Sequence, residues 1–133
     1  MSMTVEATHR VMEKYLASQH GDTSMMSPDV VFRIMPTGEE HRTPEGVLAA
    51  LGAFYHGTFE ATAELRQLVV GEGSAALEGT VVGRHTGEFA GVPATGKDVR
   101  MPIAVFYDLA DDQIIEARVY LELPVFLAQV SEG

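Results

Sequence analysis

Hydrophobic periodicity changes along this chain, and the change limits the possible folds more than any other sequence feature. Apolar residues recur mainly at helical spacing before about residue 58 and follow the alternation of β-strands after it. Helices that precede a run of consecutive strands are typical of an α+β fold, whereas a doubly wound fold alternates the two. The sequence therefore predicts an α+β chain in which a curved, mainly antiparallel sheet wraps around N-terminal helices.

The individual elements follow from patterns and boundary residues. A first helix is predicted over residues 4–19, and a second begins at Thr43-Pro44-Glu45, a cap, a first-turn proline and an acid that favours the positive helix end. We expect Gly57 to end the second helix in a left-handed conformation. Strands are predicted over residues 29–35, 59–70, 75–86, 99–109 and 114–123, with a polar loop over 36–42 and a short last helix over 124–130.

Length and charge exclude several classes of function. A chain of 133 residues has the size of one domain, so we predict a single domain over residues 1–133. The net charge is −10 and no two Lys or Arg residues are adjacent, which argues against a nucleic-acid partner and against an anionic membrane surface. No apolar run approaches the ~20 residues of a membrane span and no signal sequence is visible, so we expect a cytoplasmic protein.

Cofactor and metal motifs find no support. The chain has no cysteine, and its histidines at 9, 20, 41, 56 and 85 show neither H-x-H nor H-E-x-x-H spacing, so we expect no metal site. The segment GVPATGKD resembles a phosphate-binding loop, but Asp98 occupies the Mg²⁺-binding hydroxyl position and a strand pattern follows. The segment GEGSAA resembles a dinucleotide fingerprint but also precedes a strand. We therefore expect no cofactor.

One segment carries a specific resemblance. HTGEFAGVPATGK, from His85 to Lys97, resembles the H-x-G-x-F-x-G-[IV]-P-[AP]-T-G-[KR] signature of SnoaL-like polyketide cyclases, which belong to the nuclear-transport-factor-like superfamily. Ile114, Glu116 and Glu122 also match the I-x-E pattern of the family with its later acid, and the N-terminal half agrees in layout. The resemblance implies a cone-shaped α+β barrel with a small-molecule pocket, and a homodimer, which is common in this superfamily.

The last predicted strand contains the position that the resemblance implies for a catalytic carboxylate. Cyclases of this family use a carboxylate there as acid and base in an intramolecular aldol closure, and Glu122 aligns with that position. Glu122 replaces the usual Asp, and Arg118 stands where the family usually has Trp. Because Arg118, Tyr120 and Glu122 share one face of a strand, we expect all three at the pocket. Val119 and Leu121 face the opposite side; the convex face is either covered or meets a second copy.

The preceding hairpin adds a second carboxylate. A three-residue turn over residues 110–112 would place Asp112 in a left-handed conformation, pair Leu109 with Gln113 and set Ala104 opposite Arg118. Asp108 would then point inward, and the resemblance implies a polar residue there. A carboxylic acid in an apolar cleft has a raised pKa and can donate to a carbonyl, so Asp108 and Glu122 are the predicted catalytic residues.

The expected ligand is a small, mainly apolar organic molecule with a carbonyl group. Predicted ligand-binding residues are the aromatic and basic side chains Tyr15, Phe32, Arg33, Phe54, Arg118 and Tyr120. Three functions stay open: a cofactor-free cyclase, isomerase or hydrolase; a non-catalytic ligand-binding or interaction module; and a structural dimer with a filled pocket. In a structural interpretation, Arg118 and Glu122 form an ion pair, with Arg100 as a further partner.

Overall fold

The computed structural model describes residues 3–18 and 23–131, and in these ranges it confirms the predicted α+β class. Helix α1 spans Val5–Ala17, and a short 3₁₀ turn covers Thr23–Met25. Strands β1 (Met26–Ile34) and β2 (Glu39–Arg42) are followed by helix α2 (Pro44–Ala53) and a π-helical turn (Phe54–Thr58). The remaining elements are β3 (Phe59–Val70), β4 (Ser74–His85), β5 (Asp98–Ala110), β6 (Gln113–Leu121) and helix α3 (Leu123–Ser131).

The strands form one curved sheet in the order β2-β1-β6-β5-β4-β3. The pair of β1 and β6 is parallel, and the other neighbouring strands are antiparallel. In the described part of the chain β2 and β3 are the two edges, so the predicted barrel is an open cone. The concave face of this sheet carries α1, α2 and the cavity described below.

Both predicted helix starts are confirmed by their capping bonds. The Oγ1 atom of Thr4 accepts a hydrogen bond from the Ala7 N–H at 3.1 Å, and Thr43 accepts one from the Gly46 N–H at 3.1 Å. Each bond satisfies a backbone donor that the first helical turn leaves without a partner. The predicted end of the first helix at residue 19 lies outside the described residues.

Two local predictions are wrong. Residues 39–42 belong to strand β2 and not to a loop; the four residues are polar because β2 is an exposed edge strand that gains its stability from pairing with β1. Gly57 does not end α2 in a left-handed conformation. The helical chain continues past Ala53 into the π-helical turn, and Phe59 starts β3 directly after it.

The hairpin between β5 and β6 also differs from the prediction. Its turn has two residues, Asp111 and Asp112, with φ of 51° and 61°. Both are left-handed, as a tight turn that matches the twist of its strands requires. Ala110 therefore pairs with Gln113, and a bulge after Asp108 shifts the rest of the ladder. Phe106, and not Ala104, lies opposite Arg118. The left-handed conformation of Asp112 was predicted correctly.

One end of the cone is closed by aromatic rings. Phe59 at the start of β3 packs against Phe54, Phe89 and Phe126, with ring centroids 5.0, 5.2 and 5.7 Å away. His85 joins this cluster, since its ring centroid lies 5.0 Å from that of Phe126. The glycine-rich connection between β4 and β5 thus contributes Phe89 to the core, which gives the signature segment a structural role.

Candidate functional site

A cavity of about 800 Å³ lies between the concave face of the sheet, α1 and α2. Its walls are mainly apolar and aromatic, which suits a small organic molecule. Representative wall residues come from every layer: Tyr15 and Leu16 on α1, Phe32 and Ile34 on β1, Val47 and Leu51 on α2, Leu77 on β4, Val105 and Tyr107 on β5, and Val119 and Leu121 on β6. Half-exposed Leu48 on α2 and Leu65 on β3 also line it.

Three tyrosines supply polar groups to this apolar cavity. Tyr15 projects from α1, Tyr55 from the π-helical turn and Tyr107 from β5. The rings of Tyr15 and Tyr107 meet edge to face, with 6.1 Å between centroids, and Phe32 packs against Tyr107 at 6.4 Å. Tyr15 has no exposed surface and Tyr107 has almost none. Tyr15 and Tyr107 are therefore held by packing inside the core, and Tyr55 is half-buried at the cavity wall.

Burial disfavours the ionised form of all three phenols. Desolvation raises the pKa of Tyr55 to about 12 and raises the pKa of Tyr15 further. The pKa of Tyr107 is raised well above its ordinary value, first by burial and then by the nearby Tyr15 and Tyr55 phenols. Ionising one phenol thus makes ionising its neighbours harder. At neutral pH the cluster consists of hydrogen-bond donors to an electronegative atom.

The π-helical turn sets the direction of Tyr55. This turn adds a residue to the usual helical repeat, a feature that recurs at functional sites. It is tied to the connection after β4, because the Thr86 and Gly87 N–H groups donate to the Thr58 carbonyl at 3.0 and 2.8 Å. The Thr86 hydroxyl also donates to the Gly57 carbonyl at 2.9 Å. A rigid connection thus holds Tyr55 and His56 at the cavity wall.

Strand β2 contributes two more polar groups, Glu39 and His41. Both line the cavity from the edge of the sheet, and His41 is half-buried whereas Glu39 is exposed. His41 pairs with Phe32 on β1, so its side chain lies on the concave face next to that ring. The carboxylate of Glu39 accepts a hydrogen bond from the Thr37 hydroxyl at 3.0 Å. These groups lie at the β2 side of the cavity.

The structure brings only part of the predicted site together. Tyr15, Phe32 and Phe54 line the cavity. The expected inward placement of the other five residues is wrong. The concave positions on β5 and β6 are the odd-numbered ones, from Ile103 to Tyr107 and from Ala117 to Leu121, whereas on β1 they are Phe32 and Ile34. The other five side chains lie outside the cavity wall: Arg33, Asp108, Arg118, Tyr120 and Glu122.

The convex face holds Arg118 in an ion network. Its guanidinium donates to Asp108 at 2.7 Å and to Glu116 at 2.6 Å, and these two bonds, Asp108 first, raise its pKa above the ordinary value. Arg33 extends the network from β1, donating to Glu116 at 3.4 Å and pairing with Glu40 on β2. An ion network that links four strands supports a structural role for Arg118.

The partners in this network differ from the predicted ones. Arg118 is paired with Asp108 and Glu116, and not with Glu122, while Arg100 pairs with Glu64 at 3.3 Å. Glu122 is exposed at the junction of β6 and α3. Its carbonyl accepts hydrogen bonds from the Val125 and Phe126 N–H groups at 3.0 and 3.3 Å, so its backbone starts the last helix. A general acid or base must reach the reacting atom, so we assign no catalytic role to Asp108 or Glu122.

Sequence reasoning missed Tyr55, Tyr107 and His41. The signal for Tyr107 was present, because the series Ile103, Val105, Tyr107, Leu109 is the more apolar of the two alternating sets on β5 and therefore belongs to the interior. If this apolar alternation had been given more weight than the position of Asp108, the odd-numbered side chains of β5 would have been predicted to face the interior. His41 had no such signal, since β2 is too short and too polar to be recognised from its sequence.

Two general features of the described residues bear on function. They contain no group of three or more His, Asp or Glu side chains that could hold a metal ion. None of the described helices combines the length and the apolar character that crossing a membrane would require.

Comparison with known families gives a match along nearly the whole chain. The family model of the SnoaL-like polyketide cyclases matches residues 9–130. No curated protein matches the sequence.

Solved structures share the same fold. A protein described as a SnoaL-like polyketide cyclase from Jannaschia sp. CCS1 is 18% identical, with a TM-score of 0.83 over 100% of this chain and 97% of its own. IdmH from Streptomyces antibioticus, described as a polyketide cyclase, is 25% identical, with a TM-score of 0.71 over 95% of this chain and 99% of its own. A protein described as a ketosteroid isomerase from Kribbella flavida is 15% identical, with a TM-score of 0.67 over 88% of this chain and 78% of its own.

Proposed function

We propose that this chain, which belongs to the SnoaL-like polyketide cyclase family, binds a small apolar carbonyl compound in its cavity and catalyses a ring closure or isomerisation of that compound. The observation that carries the proposal is the tyrosine cluster on the wall of an apolar cavity of about 800 Å³. A buried phenol that stays protonated can donate a hydrogen bond to a ketone oxygen and to the more negative enolate oxygen. Donation to the enolate is the stronger of the two because charge-assisted hydrogen bonds are stronger.

The chemistry fits the family and needs no redox step. Enolisation followed by attack of the enolate carbon on a second carbonyl closes a ring, and enolisation followed by protonation at another carbon gives an isomer. Both reactions begin with stabilisation of negative charge on oxygen, which is the property that Tyr15, Tyr55 and Tyr107 offer together. The apolar wall would hold the carbon skeleton and exclude water from the enolate.

The proposal is tested with 2-tetralone, a neutral bicyclic ketone, labelled with ¹³C at its carbonyl. Binding should raise the Tm of the protein, and hydrogen bonding from the tyrosines should move the carbonyl ¹³C resonance downfield. The variants Tyr55→Phe and Tyr107→Phe should each weaken binding about fivefold, since a hydrogen bond contributes about 1 kcal/mol. Tyr120→Phe is the matched control, because Tyr120 lies on the convex face and is 42% exposed.

Two results would refute the proposal. One is that neither 2-tetralone nor larger neutral ketones raise the Tm or show a downfield carbonyl shift. The other is that Tyr55→Phe and Tyr107→Phe bind these ketones as tightly as the unchanged protein does.

A non-catalytic binding module is the second candidate. The observation that favours it is the position of the carboxylates among the described lining residues, because Glu39, Glu64 and Glu88 are all exposed. Glu64 is also paired with Arg100. Native mass spectrometry of purified protein distinguishes the two candidates. A retained ligand whose mass does not change over time favours binding, and conversion of a bound ketone favours catalysis.

We also propose that the convex face meets a second copy of the chain. Phe106 and Tyr120 are 45% and 42% exposed there and contact each other edge to face at 5.9 Å. Val69 on β3 is 53% exposed. It pairs with Ala76 on β4, which in turn pairs with Phe106 on β5, so Val69, Ala76 and Phe106 lie on the same face of the sheet. A patch of this kind can be buried by a twofold partner. Light scattering should give a dimer for the unchanged protein and a monomer for Phe106→Glu.

A further inference from the structure

The ladder pairing places four side chains in one row across the concave face. His41 on β2 pairs with Phe32 on β1, Phe32 pairs with Ala117 on β6, and Ala117 pairs with Tyr107 on β5. Paired residues of neighbouring strands present their side chains to the same face of a sheet. The row therefore has an imidazole at one end, a phenol at the other and two apolar side chains between them.

Ala117, near the middle of the row, has the smallest side chain of the four. Ala117 is fully buried, and its methyl group leaves room for the rings of Phe32 and Tyr107 to meet above it at 6.4 Å. Three strand spacings separate His41 from Tyr107, which is about 14 Å along the sheet. Both side chains line the same cavity. A bicyclic ketone lying on Phe32 could have its oxygen at the phenols and its neighbouring carbon toward the imidazole.

The surroundings of His41 suit a proton acceptor. Imidazole is the side chain that most readily takes up and returns a proton near neutral pH. His41 is half-buried and lines the cavity. On its own strand Glu39 shares its face. The inward neighbours on β1, Phe32 and Ile34, are uncharged.

The helix that packs over β2 adds little charge to this environment. Helix α2 contacts both β1 and β2, and its sequence PEGVLAALGA carries one titratable residue, Glu45. Glu45 is exposed in the first turn and is not among the residues that line the cavity.

We propose that His41 is the general base of this cavity, a role that rests on the proposed function. The neutral imidazole nitrogen takes the proton from the carbon next to the ketone. The electron pair of that C–H bond becomes the C=C bond of the enolate, and the carbonyl π pair moves to the oxygen, where the tyrosine hydroxyls donate. The imidazolium then returns the proton to carbon, or the enolate carbon attacks a second carbonyl and the imidazolium protonates the alkoxide that forms.

Deuterium exchange tests this role without knowledge of the natural substrate. In D₂O, protein with bound 2-tetralone should accelerate replacement of the ketone's α-hydrogens by deuterium, measured by ¹H NMR. His41→Gln should lower this exchange about 100-fold, the typical contribution of a positioned general base, and should leave the Kd of 2-tetralone within about twofold. His41→Asn is a second variant, in case the first one fails to fold.

His9→Gln is the matched control, because His9 lies on the exposed side of α1 beside Glu13. It should exchange at the rate of the unchanged protein. Added imidazole should partly restore exchange in His41→Asn, since the freed space admits a small base.

Each outcome decides between the two proposals. If 2-tetralone binds but its exchange is not accelerated, or if a folded His41 variant exchanges as fast as the unchanged protein, the role of His41 is wrong and the ketone site stands. If neither 2-tetralone nor larger neutral ketones bind, the proposed function is wrong, and the role of His41, which depends on it, is wrong as well. Loss of exchange in the folded His41 variants at unchanged Kd supports both proposals.

Discussion

The ring of Tyr15 on α1 meets the ring of Tyr107 on β5 edge to face, with 6.1 Å between their centroids. The contact joins the first helix to the centre of the sheet inside an apolar cavity. Each ring shields the other from water, which contributes to the raised pKa of both phenols. The site that results is a set of protonated donors, in contrast to the carboxylate pair that the sequence predicted.

A first prediction concerns the acidic and basic residues that lie outside the cavity. Asp108→Asn and Glu122→Gln should leave the Kd of a cavity ligand unchanged, because neither side chain lines the cavity. Arg118→Leu should lower the free energy of unfolding by about 1 kcal/mol, since it removes a partly exposed ion network. Chemical denaturation and ligand titration of the same three proteins check both statements. A tenfold loss of affinity in Asp108→Asn would contradict the placement.

His85 makes a second prediction, about pH. Its ring has no exposed surface, and burial lowers its pKa. Nδ1 accepts a bond from the Thr95 N–H at 3.3 Å and also contacts the Thr95 hydroxyl at 3.0 Å, whereas Nε2 has no partner among the described residues. The folded state thus prefers neutral imidazole. The stability that follows is complete above the ordinary pKa of about 6.5 and is lost as pH falls below it, because the unfolded chain then binds the proton more readily.

Chemical denaturation between pH 7.5 and pH 5 measures this effect. His85→Phe should show a smaller decrease in unfolding free energy at low pH, although at pH 7.5 it costs about 1 kcal/mol by removing the hydrogen bond from the Thr95 N–H. His9→Gln is the control, because His9 is exposed. An equal pH dependence in His85→Phe and the unchanged protein would show that other groups are responsible.

Two glycines make a third, paired prediction. A Cβ at Gly83 on β4 would overlap the carbonyl oxygen of Glu60 and lie 2.5 Å from the Ala61 Cα, so β3 could no longer pass as closely. Gly83→Ala should therefore destabilise the fold by about 1–3 kcal/mol. A Cβ at Gly52 in α2 would meet nothing within 4 Å, so Gly52→Ala should stabilise by about 0.5–1 kcal/mol. Opposite shifts in Tm are expected, and two shifts of the same sign would contradict this geometry.

The charge of the cavity wall makes a fourth prediction. Among the described lining residues the acids are Glu39, Glu64 and Glu88, and none is Lys or Arg. A neutral ketone should therefore bind more tightly than a carboxylate on the same carbon skeleton, by about tenfold at low salt. The difference should shrink at high salt, since exposed charges are screened. Calorimetric Kd values for 2-tetralone and a tetralin carboxylate, at two salt concentrations, check this; equal affinities at low salt would contradict it.

Local signals in the sequence were sufficient for the fold class and for the helices and strands other than β2. The caps at Thr4 and Thr43 depend on residues three positions away, and β3 was predicted with its observed bounds because turn residues flank its apolar run. The signature segment from His85 to Lys97 was sufficient to identify the family, because its glycines and proline sit in an unusual order. All of these signals act over a few residues.

Only the tertiary structure decided which face of β5 and β6 is concave and which residues share the cavity. The hairpin turn and its bulge shift the register of β5 against β6 by two residues from the predicted one, so that Phe106 and not Ala104 lies opposite Arg118. The curvature of the sheet turns the odd-numbered side chains of these two strands inward. Tyr15, Tyr55 and Tyr107 come from three separate elements, and His41 from an edge strand with no pattern of its own. Their convergence depends on pairing between distant segments, and no local sequence preference encodes that pairing because it arises from the packing of the whole cone.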